Sequence, residues 1–487
     1  MLAAHDRPAA PEPPYLVAGL GRAGLAAASA LLARGDPATV VAWDGSPAPR
    51  DGPAVEHLRR RGVRTALGDD GTALLESHPS PRTVVASPGL PNDLPLLQAA
   101  RARGLAVLDE AELGWRLDTR PWVGITGTNG KSTSVRLVAA VLRANGATPV
   151  LGGNTYAAPP LCALDPGGDV VVAEISSFQL ERSEHLIAEA ALLTQVGCDH
   201  LDRHGTRERY AAIKERLFLR GDAHADVVAV SVDDPYGRAI AERLRARDAR
   251  VVTFGVADHA DVRGHAVDWN LDGGTVELCA EGITSILRTR LPGPHNAANV
   301  AGAMALARAL DIDAARAAEV ITSTPPPPGR MAHLDVRSGG DVVFDFAKNA
   351  AGVQAALETV RRVTVGRGTR VIAVVSAMPV ADPGGLFAMG AAAGSGADTV
   401  ILTVDRWNAT TPPDPHPELV RGTRSTGREV EIVGDRRAAL ARALEVTGAG
   451  DVLVLLGRTP TPMPNVAADG SIAPFDDAVE LRNLAAG

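Results

Sequence analysis

The segment Gly127-Thr128-Asn129-Gly130-Lys131-Ser132-Thr133 brings glycines, a lysine and hydroxyls together, directly after the apolar run Val123-Gly-Ile-Thr126 and before the amphipathic stretch 135–143. Glycines let such a loop curl until its N–H groups face a phosphate; a lysine then reaches the outer phosphates and a neighbouring hydroxyl holds Mg2+. The strict spacing G-x-x-x-x-G-K-[ST] asks for glycine at position 125, where this chain has Ile125, so the loop is a shortened variant with Gly127 as its nearer glycine. A strand before it and a helix after it are the required context, and the segment predicts binding of a nucleoside triphosphate.

Only three of the 49 Lys and Arg side chains are lysines: Lys131, Lys214 and Lys348. A guanidinium stays protonated, whereas an ε-amine is a compact point charge that can lose its proton and be modified. Downstream of the loop the apolar run Val170-Val-Val-Ala173 ends in Glu174, and in a parallel sheet that end faces the phosphate site, where a carboxylate can hold a metal. Cys198-Asp199-His200-Leu-Asp202-Arg203-His204 then offers imidazoles and carboxylates within reach of a second cation. Lys214 follows in the helical segment 210–218. A buried neutral amine can take up carbon dioxide and become a carbamate with two oxygen ligands, a route closed to arginine.

Short apolar runs alternating with Ala/Leu/Arg stretches of helical period are needed to position these groups, and they predict an α/β fold of βαβ units around parallel sheets. The clearest runs are 15–18, 40–43, 84–86, 123–126, 170–173, 227–230, 371–375, 400–403 and 452–456. A chain of 487 residues suggests about three domains. Punctuation near Asp118–Pro121 and the proline run 324–329, read as an extended linker, place them at 1–119, 120–324 and 325–487, the first beginning after a Pro-rich tail. A formal charge of -8 argues against a nucleic-acid partner. The arginines, interleaved with acids, read as solvated helix faces. Three dispersed cysteines and no CxxC pair exclude a zinc ribbon or disulfide framework. With neither a signal peptide nor a membrane span, a cytoplasmic monomer is expected.

Gly19-Leu20-Gly21-Arg22-Ala23-Gly24 follows the first apolar run, and Asp44 ends the next. This is the dinucleotide fingerprint, so a dehydrogenase is a rival reading, although nothing downstream looks like a hydride-transfer site.

Together with Ala86-Ser-Pro-Gly-Leu-Pro91, Gly152-Gly-Asn154, Glu174-Ile-Ser-Ser-Phe-Gln-Leu-Glu181, Asp199-His-Leu-Asp-Arg203 and Leu291-Pro-Gly-Pro-His-Asn296, these segments resemble the Mur ligase family over roughly residues 15 to 300. The resemblance is greatest to the members that add D-glutamate to UDP-N-acetylmuramoyl-L-alanine in peptidoglycan precursor synthesis. It implies a Rossmann-like first domain that binds a UDP-sugar, a central P-loop NTPase-like domain, and a Rossmann-like third domain that binds an amino-acid acceptor. ATP and Mg2+ are the implied cofactors. The implied reaction has a substrate carboxylate attack the γ-phosphate and an amine displace phosphate from the acyl phosphate. Carried over residue by residue, Lys131 meets the β/γ-phosphates, Ser132 the first Mg2+, and Glu174, His200 and carbamylated Lys214 the second. Asn296 meets the adenine, Arg330 the phosphates and Asp345 the ribose. Leu20 to Gly24, Asp44, Ser87, Gly89 and Asn154 meet the UDP-substrate, which His200 also approaches.

The third domain departs from this pattern. After the run 371–375 the chain reads Ser376-Ala-Met-Pro-Val-Ala-Asp382 where a lysine motif is usual, and Leu456-Gly-Arg-Thr-Pro-Thr-Pro462 and Asp405-Arg-Trp-Asn408 replace other acceptor motifs. Arginines 406, 421 and 458 are candidate carboxylate partners, with solvated surface positions as the default. Lys348-Asn349-Ala-Ala-Gly352 is similar to an amidotransferase-associated branch of the family. The alternatives are thus a relative recruited to another amide bond, or a non-catalytic or amidotransferase-associated one.

Overall fold

The computed structural model describes residues 2–49, 51–76, 80–155, 158–334, 341–366, 368–377, 382–404, 406, 414–458, 463–466 and 472–486. Its first sheet has five parallel strands, Tyr15–Ala18, Val40–Asp44, Arg64–Leu67, Thr83–Ala86 and Ala106–Asp109, in the spatial order third, second, first, fourth, fifth. Burial on both faces explains why the central strands read as unbroken apolar runs. The order reverses at Tyr15–Ala18, which opens a crevice at the carboxyl ends of the strands on either side. Gly24 is required there: a Cβ at this position would lie 1.7 Å from the Gly19 carbonyl oxygen.

The second sheet has nine strands, in the spatial order Pro149–Gly153, Val170–Glu174, Trp122–Thr126, Ala190–Leu193, Val227–Ser231, Arg250–Gly255, Val262–Asn270, Gly273–Ala280 and Ile283–Thr289. Up to Val262–Asn270 neighbours run parallel, as expected. The last three strands form an antiparallel meander that the sequence reading did not foresee. Their alternation of apolar residues with Thr, Glu and Arg suits a sheet solvated on one face.

The third sheet orders Ala332–Leu334, Asp341–Asp345, Val452–Leu456, Val371–Ala377, Thr399–Val404 and Val430–Ile432, antiparallel only at the first pair. Apolar clusters cover both of its faces. Among the described residues no helix is long and apolar enough to cross a membrane.

The Pro-rich leading segment is docked: Leu2 packs against the central core, and Arg7 inserts between the rings of Trp115 and Trp122. The reading of the arginines as solvated helix faces needs correction in part, since several are buried. Arg182, Arg436 and Arg458 are 5%, 1% and 1% exposed, because each guanidinium finds carbonyl or carboxylate oxygens inside the fold.

Candidate active site

The phosphate loop leaves the fully buried strand Trp122–Thr126 and runs into the helix Lys131–Ala144. Gly130, just before that helix, has φ 86°, and a Cβ there would sit 2.3 Å from Asn299 Oδ1; the position tolerates only glycine on both counts. Thr194 Oγ1 donates to the Asn129 carbonyl at 2.6 Å. Lys131 Nζ donates to the carbonyls of Gly127 and Thr128, at 3.0 and 2.8 Å, so the amine is held against the loop. Burial lowers its pKa, against the opposing pull of Glu174 and Asp199. The Thr128 hydroxyl accepts the Gly197 N–H and bonds the Tyr210 hydroxyl, an internal role.

At the end of its strand Glu174 is 3% exposed and accepts a hydrogen bond from Ser132 Oγ at 2.7 Å. A hydroxyl and a carboxylate paired at a helix N-terminus are the oxygen donors a Mg2+ ion prefers, so these residues fit the first cation. His200 has φ 53°, and its backbone N–H donates to Asp199 Oδ1 at 3.0 Å. Its ring packs 4.7 Å from Phe178. Lys214, on the helix Arg207–Glu215, is 1% exposed and donates to the Gly127 carbonyl at 2.8 Å, with its amine 4.3 Å from the Tyr210 ring centre. Burial and the charge of Lys131 hold that amine well below the ordinary lysine pKa. Among the described residues no three His, Cys, Asp or Glu side chains form a ready metal cluster. A second cation on Glu174, His200 and Lys214 therefore fits only with the extra oxygens a Lys214 carbamate would bring.

A cavity of about 240 Å³ runs from the phosphate loop to the third sheet. Of the sequence-derived nucleotide residues, Asn129, Gly130, Ser132, Thr133, Asn296, Arg330 and Asp345 line it, whereas Gly127, Thr128 and Lys131 do not. Asn296 opens the helix Asn296–Ala309 and donates to the Pro292 carbonyl at 2.7 Å. Asp345 accepts the Met331 N–H at 3.0 Å and lies 3.8 Å from Arg330. Sequence reasoning missed Gln195, His295 and Asn299, which also line the cavity. Asn299 donates to Asn296 Oδ1 at 2.8 Å, and its place one helical turn on was the available signal. His295 is pushed down to about 4 by burial and by the Arg330 charge, so it is neutral there.

The crevice of the first sheet gathers the residues expected to hold the UDP-substrate. Asp44 Oδ2 accepts the Leu20 N–H at 2.7 Å, and Ser87 Oγ donates to the Gly19 carbonyl at 2.8 Å. Gly21 precedes the helix Arg22–Leu32, which carries Ala23 and Gly24, and Gly89 lies two residues beyond Ser87. Arg22 crosses to the central unit, donating to the Ala158 carbonyl at 2.8 Å. Asn154 is exposed there, with its backbone N–H on the Glu174 carbonyl at 2.8 Å.

The acceptor candidates do not converge. Arg458 is buried 3.7 Å from Asp477, which removes it from solvent and from a carboxylate-reading role, while exposed Arg421 pairs with Glu418 at 2.5 Å. Residues 378–381, 405, 407–408 and 459–462 lie outside the described residues, as does Tyr156. Lys348 places its amine 4.3 Å from the Phe346 ring centre.

Residues 125–307 match the family description "Mur ligase middle domain" and residues 329–459 match "Mur ligase, glutamate ligase domain". The chain is 34% identical over 360 residues to a UDP-N-acetylmuramoylalanine--D-glutamate ligase of Synechocystis, covering 72% of this chain and 77% of that one. A Phenylobacterium zucineum protein of the same name is 35% identical over 354 residues, covering 70% and 72%. The crystal structure of the UDP-N-acetylmuramate-alanine ligase of Thermotoga maritima superposes over 97% of this chain and 98% of that one, with a TM-score of 0.63 at 17% identity, a likeness of fold. With a phosphate loop, a facing carboxylate and a third sheet closing one cavity, and with relatives matching across more than two thirds of its length, the chain belongs to the Mur ligase family.

Proposed function

We propose that this protein is an ATP-dependent amide ligase that adds D-glutamate to UDP-N-acetylmuramoyl-L-alanine in peptidoglycan precursor synthesis; its relatives are named UDP-N-acetylmuramoylalanine--D-glutamate ligases. The observation that carries the reading is the cavity lined by the phosphate loop, Asn296, Arg330 and Asp345, in whose wall Ser132 donates to Glu174. In the first step a carboxylate oxygen of the substrate bonds to the γ-phosphorus of ATP and the bond to ADP breaks, giving an acyl phosphate. In the second, the acceptor amine bonds to the acyl carbon, inorganic phosphate departs and the nitrogen loses a proton.

Both steps gather negative charge, and preorganised cations and N–H groups are the main means of stabilising it. Mg2+, when bound, neutralises charge on the phosphate oxygens. Ser132 and Glu174 would hold the first ion, and His200 and a carbamylated Lys214 would join Glu174 at the second. Lys131 would leave its two carbonyls for the β/γ-phosphates, Asn296 would read the adenine, Arg330 the phosphates and Asp345 the ribose. Leu20 to Gly24, Asp44, Ser87, Gly89 and Asn154 would receive the UDP-sugar.

A specific observation keeps a second acceptor in view. No lysine follows Lys348, and Arg458, which would be a substitute, is turned into a buried ion pair. The test is an acceptor screen: purified protein, ATP, Mg2+, UDP-N-acetylmuramoyl-L-alanine and a panel of amino acids that includes both enantiomers of glutamate, read by phosphate release. Release with D-glutamate alone supports the proposal. Release with another amine only moves the acceptor, and no release with any of them, while ATP binds, overturns the muramoyl substrate.

A further inference from the structure

The segment Asp345-Phe-Ala-Lys-Asn349 joins the third sheet to the helix Ala350–Thr364, and the family roles assigned above use only its aspartate. Its asparagine bonds two other loops as well as its own helix. Asn349 Oδ1 caps the helix by accepting the Gly352 N–H at 2.9 Å, and its extended backbone, φ −140°, is that of a helix cap. The same oxygen accepts from Asn129 Nδ2 at 3.3 Å, while Asn349 Nδ2 donates to Asn129 Oδ1 at 3.1 Å and to Asp199 Oδ2 at 3.0 Å. Two primary amides thus meet face to face across the boundary between the phosphate loop and the third domain, each donating to the other.

What lies on the far side of each bond gives the arrangement its consequence. Asn129 stands between Thr128 and Gly130, and its carbonyl is fixed by Thr194. Asp199 uses its other oxygen to hold the backbone N–H of His200, whose left-handed φ of 53° is unfavourable for a non-glycine residue and persists only where neighbours impose it. Because Asn349 is also the helix cap, its position is locked to a helix whose first residues, Ala351 and Gly352, line the cavity. One side chain therefore spans the cavity wall, the phosphate loop and the loop that carries His200.

We propose that Asn349 is a positioning residue through which the third domain orders the phosphate loop and the Asp199–His200 loop, so that the site is complete only while its amide pairs with Asn129 and Asp199. The proposal extends the ligase reading above, but its structural half stands on the hydrogen bonds alone. Three substitutions separate the roles. Asn349→Ser keeps a helix cap and loses the bonds to Asn129 and Asp199. Asn349→Asp keeps the cap and sets a carboxylate against Asp199. Asn349→Ala loses everything.

Amide hydrogen exchange on the ligand-free protein reads the ordering without any catalytic turnover. Peptides covering 127–131 and 198–204 are expected to exchange about fivefold faster in Asn349→Ser, the loss of roughly one hydrogen bond's net contribution. The rise is expected to be larger in Asn349→Asp. The first turn of Ala350–Thr364 is expected to keep its protection in both and to lose it in Asn349→Ala. In phosphate release, kcat is expected to fall while KM for the muramoyl substrate, bound in the first domain, stays near its wild-type value. Asn129→Ala and Asn349→Ala are expected to be strongly non-additive in kcat, since either one breaks the same pair. Unchanged exchange in both loops with Asn349→Ser, or additivity of the two alanine changes, overturns the proposal. Absence of turnover in the wild-type protein would overturn the ligase reading and leave the exchange test to decide the positioning role.

Discussion

Lys214 offers its amine to the Gly127 carbonyl, 2.8 Å away, with no carboxylate among the described residues bonded to it and the Lys131 charge acting on it. Burial and a like charge both disfavour the ammonium form and so favour the nucleophilic neutral amine. Addition to carbon dioxide would turn a repulsive neighbour of Lys131 into an attractive one and supply the oxygens that Glu174 and His200 lack. Lys214→Arg, which keeps charge but cannot form a carbamate, is accordingly expected to reduce phosphate release by at least about a hundredfold, the scale on which removing one transition-state-stabilising group acts. Lys214→Ala is expected to recover part of its activity when acetate or formate is added. Wild-type turnover in the arginine variant would eliminate the carbamate. Lys131, Ser132, Glu174, His200 and Lys214 were singled out in the sequence, the first three by the loop spacing and a strand end and the roles of His200 and Lys214 by the family resemblance. Asn299, His295 and Gln195 were not, since each looks like an ordinary polar residue until the fold carries it to the cavity.

At the level of elements, the site hangs on a single turn of helix. Leu201–His204 begins at His200 and is fastened at its other end by His204, which is 1% exposed and hydrogen-bonds Ser177 Oγ through Nε2 at 3.0 Å. Arg203 adds a bond to Glu181 at 2.7 Å and lies 4.1 Å over the Phe178 ring. Burial pushes the His204 imidazole down to about 4 from the usual 6.5. A pKa depressed in the folded state means the unfolded chain binds the proton more readily, so this contribution is complete above pH 6.5 and is lost as pH falls toward 4. Its upper limit is about 3 kcal/mol. His204→Gln, which cannot ionise, is expected to flatten the fall in unfolding midpoint between pH 7.5 and 5 in urea titrations, and since His295 titrates in the same window, the comparison of variant with wild type isolates His204. Parallel pH profiles for the two proteins would refute the assignment. The strands feeding the site were readable as apolar runs because they are buried on both faces. The meander 262–289 was not, since one solvated face breaks its runs into an alternation that reads as loop or amphipathic surface.

Across the whole molecule, the first two domains are joined by guanidinium groups set against backbone carbonyls. Arg182 donates to the carbonyls of Ser87, Pro88 and Leu90 at 2.7 to 2.9 Å, and so steadies the loop proposed to receive the UDP-sugar. Arg7 does the same at the connection itself. It donates to the carbonyls of Trp115, Asp118 and Arg120 and to the fully buried Glu189, whose other oxygen accepts the Trp122 N–H at 2.7 Å. Trp115 lies in the last turn of the helix Glu110–Leu117 and Trp122 opens the strand Trp122–Thr126, so one planar group fixes the path between them. Removing it leaves a buried carboxylate without its cation, and Arg7→Ala is expected to lower stability by about 3 kcal/mol. A lysine has one nitrogen and cannot reach both sides of this fork, so Arg7→Lys is expected to recover less than half of that loss. Glu189→Gln in the Arg7→Ala background removes the stranded charge and is expected to restore more than the lysine does. Equilibrium urea unfolding of the four proteins checks the order. If the alanine variant were as stable as the wild type, the leading segment would be resting on the surface of the seam and would have no part in holding it.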